Sequence, residues 1–330
     1  MKIVFMGTPE FAVPCLARLL EDGHTVSLVV TQADKPKGRG HRLTPPPVKA
    51  FALEHGLPVF QPQSMKAPET LERLREAAPE LIVIQKIREL APDVLVVVAF
   101  GQIIPQEILD IAPYGCINVH ASLLPRYRGA APIQWAVLNG ETEAGVTTMQ
   151  MDAGLDTGDM LLSASCPVPE DMTAGQLHDR LSLLGAQVLS ETLNALKVNA
   201  LTPKKQNDGE SCYAPMLDKS LSPLDWSRPA AQLHNQVRGL NPWPSACCRC
   251  QGRLLKVHAS RVGESSDAEP GIVIKLNPFT VSCGGHTSLE LLEVQGEGAR
   301  RMSGADFLRG HPLAVGSRLE EAADQTEDRP

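Results

Sequence analysis

Lys2-Ile3-Val4-Phe5-Met6, followed by Gly7-Thr8-Pro9-Glu10-Phe11, decides the fold class of this chain. The first five residues read as a buried strand. Gly7-Thr8-Pro9-Glu10 reads as a turn into a helix, with Thr8 as cap, Pro9 in the first turn and Glu10 at the positive end of the helix dipole. Phe11, Cys15, Leu16, Leu19 and Leu20 recur at helical spacing and mark its apolar face. Gly23-His24 ends the helix, and Thr25 to Thr31 forms a second strand. A strand–helix–strand opening predicts an α/β fold with a parallel sheet covered by helices. The Gly-Thr-Pro turn lacks the GxGxxG pattern, so a dinucleotide site is poorly supported.

Further along, Gln32 to Arg42 gathers Lys35, Lys37, Arg39, His41 and Arg42 among glycines and prolines, ahead of Pro45-Pro46-Pro47. It reads as a mobile basic loop at a strand's carboxyl end, where open α/β sheets bind ligands. Leu74-Arg75-Glu76-Ala77-Ala78-Pro79-Glu80-Leu81-Ile82-Val83 is nearly repeated as Ile87-Arg88-Glu89-Leu90-Ala91-Pro92-Asp93-Val94-Leu95-Val96. Two copies do not make a solenoid. One copy is expected to be a true strand over 93–99 and the other an extra excursion. A loop and short helix over 101–110, a helix from Pro132 to Leu138, a strand from Gly145 to Met151 and a helix from Thr173 to Leu196 follow. The polar stretch 199–212 reads as a linker. Beyond it come a short helix, Gln232 to Arg238, the rigid Asn241-Pro242-Trp243-Pro244 turn, and alternating segments over 253–260, 271–276, 279–283 and 287–294. These predict a small antiparallel β domain of the kind that closes as a barrel. The expected division is therefore 1–198, a linker over 199–212, a second domain over 213–318, and a disordered tail over 319–330.

The chain has 330 residues, 43% hydrophobic and 21% charged, an ordinary composition for a globular protein. No apolar run approaches the roughly 20 residues needed to span a bilayer. No signal or transit pattern is seen, so a cytoplasmic location is expected. The net charge is −7, but Lys204 to Arg261 carries nine basic residues against four acidic ones. A local basic face of that kind suits nucleic acid, although a merely solvated surface reads equally well. Eight dispersed cysteines do not resemble a disulfide framework. Cys247, Cys250, Cys283 and His286 formally offer a zinc set, but one CxxC without a second pair is weak, and no metal is expected. Asp152, Asp156 and Asp159 do not match an EF-hand spacing.

The chemistry lies in Cys116-Ile117-Asn118-Val119-His120-Ala121-Ser122-Leu123-Leu124-Pro125 and Gly154-Leu155-Asp156-Thr157-Gly158-Asp159. Asn118 and His120, two apart on an extended segment, face the same side. Asp156 follows on another strand's carboxyl-end loop. An amide, an imidazole and a carboxylate can stabilise an oxyanion, move a proton and orient the imidazole, as attack on a carbonyl-type carbon requires. No Ser or Cys nucleophile with a convincing base accompanies them, so the nucleophile belongs to a substrate.

Those two motifs, with Tyr127-Arg128-Gly129-Ala130-Ala131-Pro132-Ile133-Gln134 and Met149-Gln150-Met151-Asp152-Ala153, resemble the folate-dependent formyltransferases. The likeness runs from Gly7-Thr8-Pro9 through Pro58-Val59-Phe60-Gln61-Pro62 to Asn241-Pro242-Trp243-Pro244 and Arg309-Gly310-His311-Pro312, nearly the whole chain. It implies a Rossmann-like catalytic domain and an OB-like C-terminal barrel. It also implies transfer of the formyl group of 10-formyltetrahydrofolate to the α-amino group of initiator methionyl-tRNA. On that resemblance Asn118, His120 and Asp156 are catalytic, and Ser122, Leu123, Leu124 and Pro125 contact the folate. Arg39, with Lys35, Lys37 and Arg42, meets the tRNA, and a monomer suffices. A formyltransferase for a small amine, a hydrolase of the folate, and an RNA-binding protein with a degenerate transferase domain are the rival readings. The near-repeat at 80–92 departs from the family as an insertion of about ten residues within the margin of such boundaries.

Overall fold

A computed structural model describes residues 1–37, 42–62, 65 and 79–322. The chain divides into two compact units, one made of 1–129, 145–166 and 178–213, the other of 130–144, 167–177 and 214–330.

The first unit is built on a seven-stranded sheet. In spatial order its strands are Met160–Pro167, Glu143–Gln150, Cys116–His120, Val94–Val98, Lys2–Gly7, Thr25–Val30 and Val59–Phe60. From Cys116–His120 to Val59–Phe60 all neighbours run parallel. Ile3 to Met6 and all of Val94–Val98 are buried, as continuous apolar runs covered on both faces should be. Each such side chain contributes roughly 1.5–3 kcal/mol of transfer free energy. The opening turn differs in detail from its sequence reading. A 3-10 turn, Glu10–Ala12, precedes the helix Val13–Glu21, and Pro9 holds the N-cap position without a side-chain cap. The Thr8 hydroxyl instead donates to the Phe100 carbonyl at 3.2 Å, tying two parallel strand ends together. Gly7 is required there, since a Cβ would lie 2.8 Å from the Phe5 ring and 2.9 Å from Ala12 Cβ.

The near-repeat resolves in two ways. Val94–Val98 is the central strand, whereas residues 79–83 of the matching copy begin the helix Pro79–Leu90, its residues 74–78 lying outside the described residues. Pro79 opens that helix, a position proline tolerates, and Val83 and Ile87 are buried in the core over the sheet. Two similar apolar triplets, Leu81-Ile82-Val83 and Val94-Leu95-Val96, thus follow their surroundings rather than their own propensity.

The basic segment is not wholly a loop. Lys35–Lys37 pairs antiparallel with Arg42–Thr44, Lys37 opposite Arg42. The base of this hairpin is fixed by Asp34, whose carboxylate accepts from Lys49 Nζ at 2.8 Å and from Gln61 Nε2 at 2.9 Å. Those hydrogen bonds hold the Asp34 carboxyl below the usual carboxylate range. The stretch read as a linker is likewise attached, because Lys204 and Met160 exchange both backbone hydrogen bonds at 2.9 Å.

In the second unit six strands order as Val273–Leu276, Phe279–Cys283, Thr287–Gly296, Arg253–Val262, Ala246–Cys250 and Leu319–Glu321. Met302–Ser303 pairs beside Thr287–Gly296. Leu319 N–H donates to the Gly271 carbonyl and Val273 N–H to the Ser317 carbonyl, both at 2.8 Å, bringing the two sheet ends together as a barrel. Trp226, Leu233, Phe279, Phe307, Cys248, Cys250 and Cys283 form its core. Leu319–Glu321, expected as the start of a disordered tail, is an edge strand because its backbone has Cys248–Cys250 to pair with; residues 323–330 lie outside the described residues. Cys247 and Cys250 sit three apart on one strand, so their side chains leave opposite faces and do not converge. His286 is exposed and contacts Asp267 at 3.0 Å. Among the described residues no helix is long and apolar enough to cross a membrane.

Candidate active site

Asn118 and His120 project from the same face of Cys116–His120, near the middle of the sheet. Asn118 is 8% exposed and His120 7%. Among the described residues no partner takes the Asn118 carboxamide, which leaves its two N–H donors for a substrate oxygen.

Asp156 arrives by an unexpected route. Glu143–Gln150 runs antiparallel to Cys116–His120, with His120 opposite Thr147 and Ile117 opposite Gln150. Its carboxyl end therefore lies beside the start of the catalytic strand, away from His120. Residues 151–159 form the loop to the next strand and must double back along the sheet for Asp156 to reach the imidazole. Gly158 permits this, since a Cβ there would fall 1.7 Å from the Gln150 carbonyl oxygen. Asp156 itself has φ +54°, a left-handed conformation costly for a residue with a side chain and common where function imposes it.

Asp156 and His120 then approach one another. Asp156 Oδ2 accepts from Gly129 N–H at 2.8 Å and lies 3.7 Å from His120 Nδ1. That separation is beyond a hydrogen bond, and such contacts commonly close when substrate binds. On the other side of the ring, His120 Nε2 lies 2.9 Å from the Tyr127 carbonyl oxygen. A carbonyl only accepts, so Nε2 carries a proton, and Nδ1 is the nitrogen that faces the carboxylate. Tyr127, at φ +58°, is the second left-handed residue of the site.

The predicted folate residues form the loop directly after His120. Thr147 holds it, donating to the Ser122 carbonyl at 2.7 Å and accepting from Leu124 N–H at 3.1 Å. Ser122 Oγ donates to the Arg126 carbonyl at 2.7 Å, so this hydroxyl keeps only acceptor capacity for a ligand. Leu123 packs over Gly145, where a Cβ would lie 2.5 Å from its Cδ2, and Leu124 is buried. Pro125 follows Leu124 through a cis peptide bond. Of the predicted tRNA residues, Lys35 is exposed with Nζ on Gln32 Oε1 at 2.9 Å. Lys37 and Arg42 stand opposite one another in the hairpin, and Arg39 lies outside the described residues. Tyr127, Gly129, Thr147 and Gln206 were not singled out from sequence. Their contributions are a carbonyl, a backbone N–H, a strand hydroxyl and a remote amide, none of which leaves a local pattern.

A family model described as formyl transferase matches residues 1–193, and one described as formyl transferase, C-terminal domain, matches 216–312. Over 320 residues the chain is 51% identical to a methionyl-tRNA formyltransferase of Trichlorobacter lovleyi, covering 96% of each. It is 52% identical to the methionyl-tRNA formyltransferase of Geobacter metallireducens, over 97% of this chain and 98% of the relative. Its fold resembles that of an N-formyltransferase from Helicobacter canadensis solved with folinic acid and dTDP-3-aminofucose, with TM-score 0.62 and 18% identity over 90% of this chain and all of that one.

Proposed function

We infer that, in a chain that belongs to the formyl transferase family and within it to the methionyl-tRNA formyltransferases, Asn118, His120 and Asp156 carry the catalytic step. The enzyme transfers a formyl group from 10-formyltetrahydrofolate to the α-amino group of initiator methionyl-tRNA. The observation that carries the residue assignment is the return of the 151–159 loop, which sets Asp156 against an imidazole sharing a strand face with an unpartnered carboxamide.

The donor supplies an electrophilic formyl carbon, and the tRNA's amine is the nucleophile. Asn118 donates to the formyl oxygen as negative charge builds on it, in a buried site where such a bond is stronger than in water. His120 takes the amine's proton at Nδ1 and returns it to the folate nitrogen as the bond between that nitrogen and the formyl carbon breaks, which releases tetrahydrofolate. Asp156, held by Gly129 N–H, keeps the ring oriented. The 122–125 loop fits the donor, because Thr147 fixes its backbone directly beside His120. The basic segment with Lys35, Lys37, Arg39 and Arg42 and the C-terminal barrel, residues 213–318, serve the tRNA. Residues 1–198 form the catalytic domain and 199–212 the connection. A monomer working in the cytoplasm, where the charged tRNA is made, completes the reading.

The test is a formylation assay with the folate donor against initiator Met-tRNA, elongator Met-tRNA and free amino compounds. His120→Ala is expected to lose about 10²–10⁴ in turnover while melting like the parent. Wild-type turnover in that variant would refute its role. Formate released without any acceptor would point to a hydrolase instead.

A further inference from the structure

We propose that Gln206, in the part of the first unit that follows its last long helix, is a positioning residue for Asp156. The proposal rests on the catalytic reading of Asp156 given above. Gln206 Nε2 donates to the carbonyl of Asp156 and to that of Gly158, both at 2.8 Å. Its Oε1 accepts from Arg128 Nε at 3.0 Å. Arg128 is fixed in turn, with NH2 on Asp208 Oδ1 at 2.8 Å and its backbone N–H on the Cys212 carbonyl at 2.9 Å. Arg128 immediately precedes Gly129, whose N–H holds the Asp156 carboxylate.

One carboxamide therefore ties the backbone from which Asp156 hangs to the backbone that grips its carboxylate. The chemistry selects glutamine. Two donors are needed for two carbonyls and an acceptor for a guanidinium, and a primary amide offers both in one plane. A carboxylate would keep the Arg128 contact and lose both donors; an ammonium would do the reverse. External support matters here because Asp156 is held in a left-handed conformation that the loop does not favour unaided. The 3.7 Å gap to His120 Nδ1 leaves little room for drift before the pair separates.

Gln206→Glu isolates the two donors, since its carboxylate still accepts from Arg128 and the fold is kept; Gln206→Ala removes the whole clamp. Both are compared with Asp156→Asn and with the Gln206→Glu/Asp156→Asn double variant. The readouts are kcat, both KM values, single-turnover rates at excess enzyme, and melting curves. Gln206→Glu is expected to lower kcat about 100-fold, the effect of an ångström-scale misplacement, with both KM values and the melting temperature little changed. In the Asp156→Asn background it should cost nothing further. Unchanged kcat in Gln206→Glu, a change in KM alone, or a loss that multiplies with that of Asp156→Asn overturns the proposal. Should Asp156→Asn be inactive while Gln206→Glu is active, only the proposal falls. Wild-type turnover in Asp156→Asn removes the catalytic reading and the proposal together.

Discussion

Gly158→Ala should separate the shape of the 151–159 loop from the chemistry of its aspartate. The added Cβ would stand 1.7 Å from the Gln150 carbonyl oxygen and 2.9 Å from its carbon. Both are backbone atoms of a strand hydrogen-bonded on the catalytic strand, so they do not yield as a flexible side chain does. Relief to the 3.0 Å below which such contacts are essentially never found requires a displacement of about 1.3 Å. The loop is the part free to take it, and Asp156 is two residues away. A shift of that size beside a 3.7 Å contact predicts a turnover loss on the order of 10²-fold. The overpacking should also cost about 1–3 kcal/mol of stability. Gly154→Ala is the matched control in the same loop. Its Cβ meets the Thr157 hydroxyl at 1.9 Å, a side-chain atom that can rotate away for the loss of one hydrogen bond to Asp152, about 1 kcal/mol. Formylation kinetics and urea unfolding of the two variants decide the matter. Equal turnover in both would show that the doubled-back loop tolerates displacement and that the close approach at Gly158 has no catalytic meaning.

Arg39→Ala should weaken turnover with tRNA far more than use of the folate donor, with a shallower dependence of tRNA affinity on salt, because one phosphate or groove contact is lost. An unchanged salt slope would remove Arg39 from the tRNA interface. Stability should fall as pH drops below about 6.5. His24 and His258 both sit below the ordinary histidine value of 6.5, chiefly through burial. Lys197 and the terminal ammonium add to this at His24, as do Arg301 and Lys256 at His258. The unfolded chain then binds protons that the folded chain refuses, so their contribution is complete above 6.5 and fades as pH falls through the lower folded values. His258→Gln should flatten the melting-temperature profile between about pH 7.5 and 5.5; a profile identical to the parent's would contradict this origin.

Much of the fold was legible because its elements carry periodicity or punctuation. The Lys2–Gly7 strand shows as an uninterrupted apolar run, the helix Pro132–Leu138 opens on proline, and the barrel strand Phe279–Cys283 is bracketed by turn residues. The strand Met160–Pro167 was missed, since only one of its eight side chains is buried and its alternation runs through the small Ser163, Ala164, Ser165 and Cys166, which give little apolar contrast. The hairpin at Lys35–Lys37 was hidden by proline and glycine, and the Glu80–Val83 copy by an apolar run that suits either helix or strand. Asn118, His120 and Asp156 could be singled out because the chemistry proposed for them resides in their side chains. Their supports could not, since Tyr127 and Gly129 act through backbone atoms whose partners the topology chooses. The antiparallel turn at Glu143–Gln150 was equally silent, because a strand's direction relative to its neighbour is set by the path of the chain around it.

The bond from His120 to the Tyr127 carbonyl limits how protons can travel through this site. An imidazole open at both nitrogens can serve as a relay, taking a proton on one side and releasing another from the opposite side. Here the Nε2 side ends on an oxygen that has no proton to offer and, as a carbonyl, no use for one. Traffic is confined to a single door at Nδ1. On the catalytic role proposed for His120, a proton taken from the attacking amine leaves from the side on which it entered, and the ring is a one-sided shuttle reset only by whatever next occupies the space between it and Asp156.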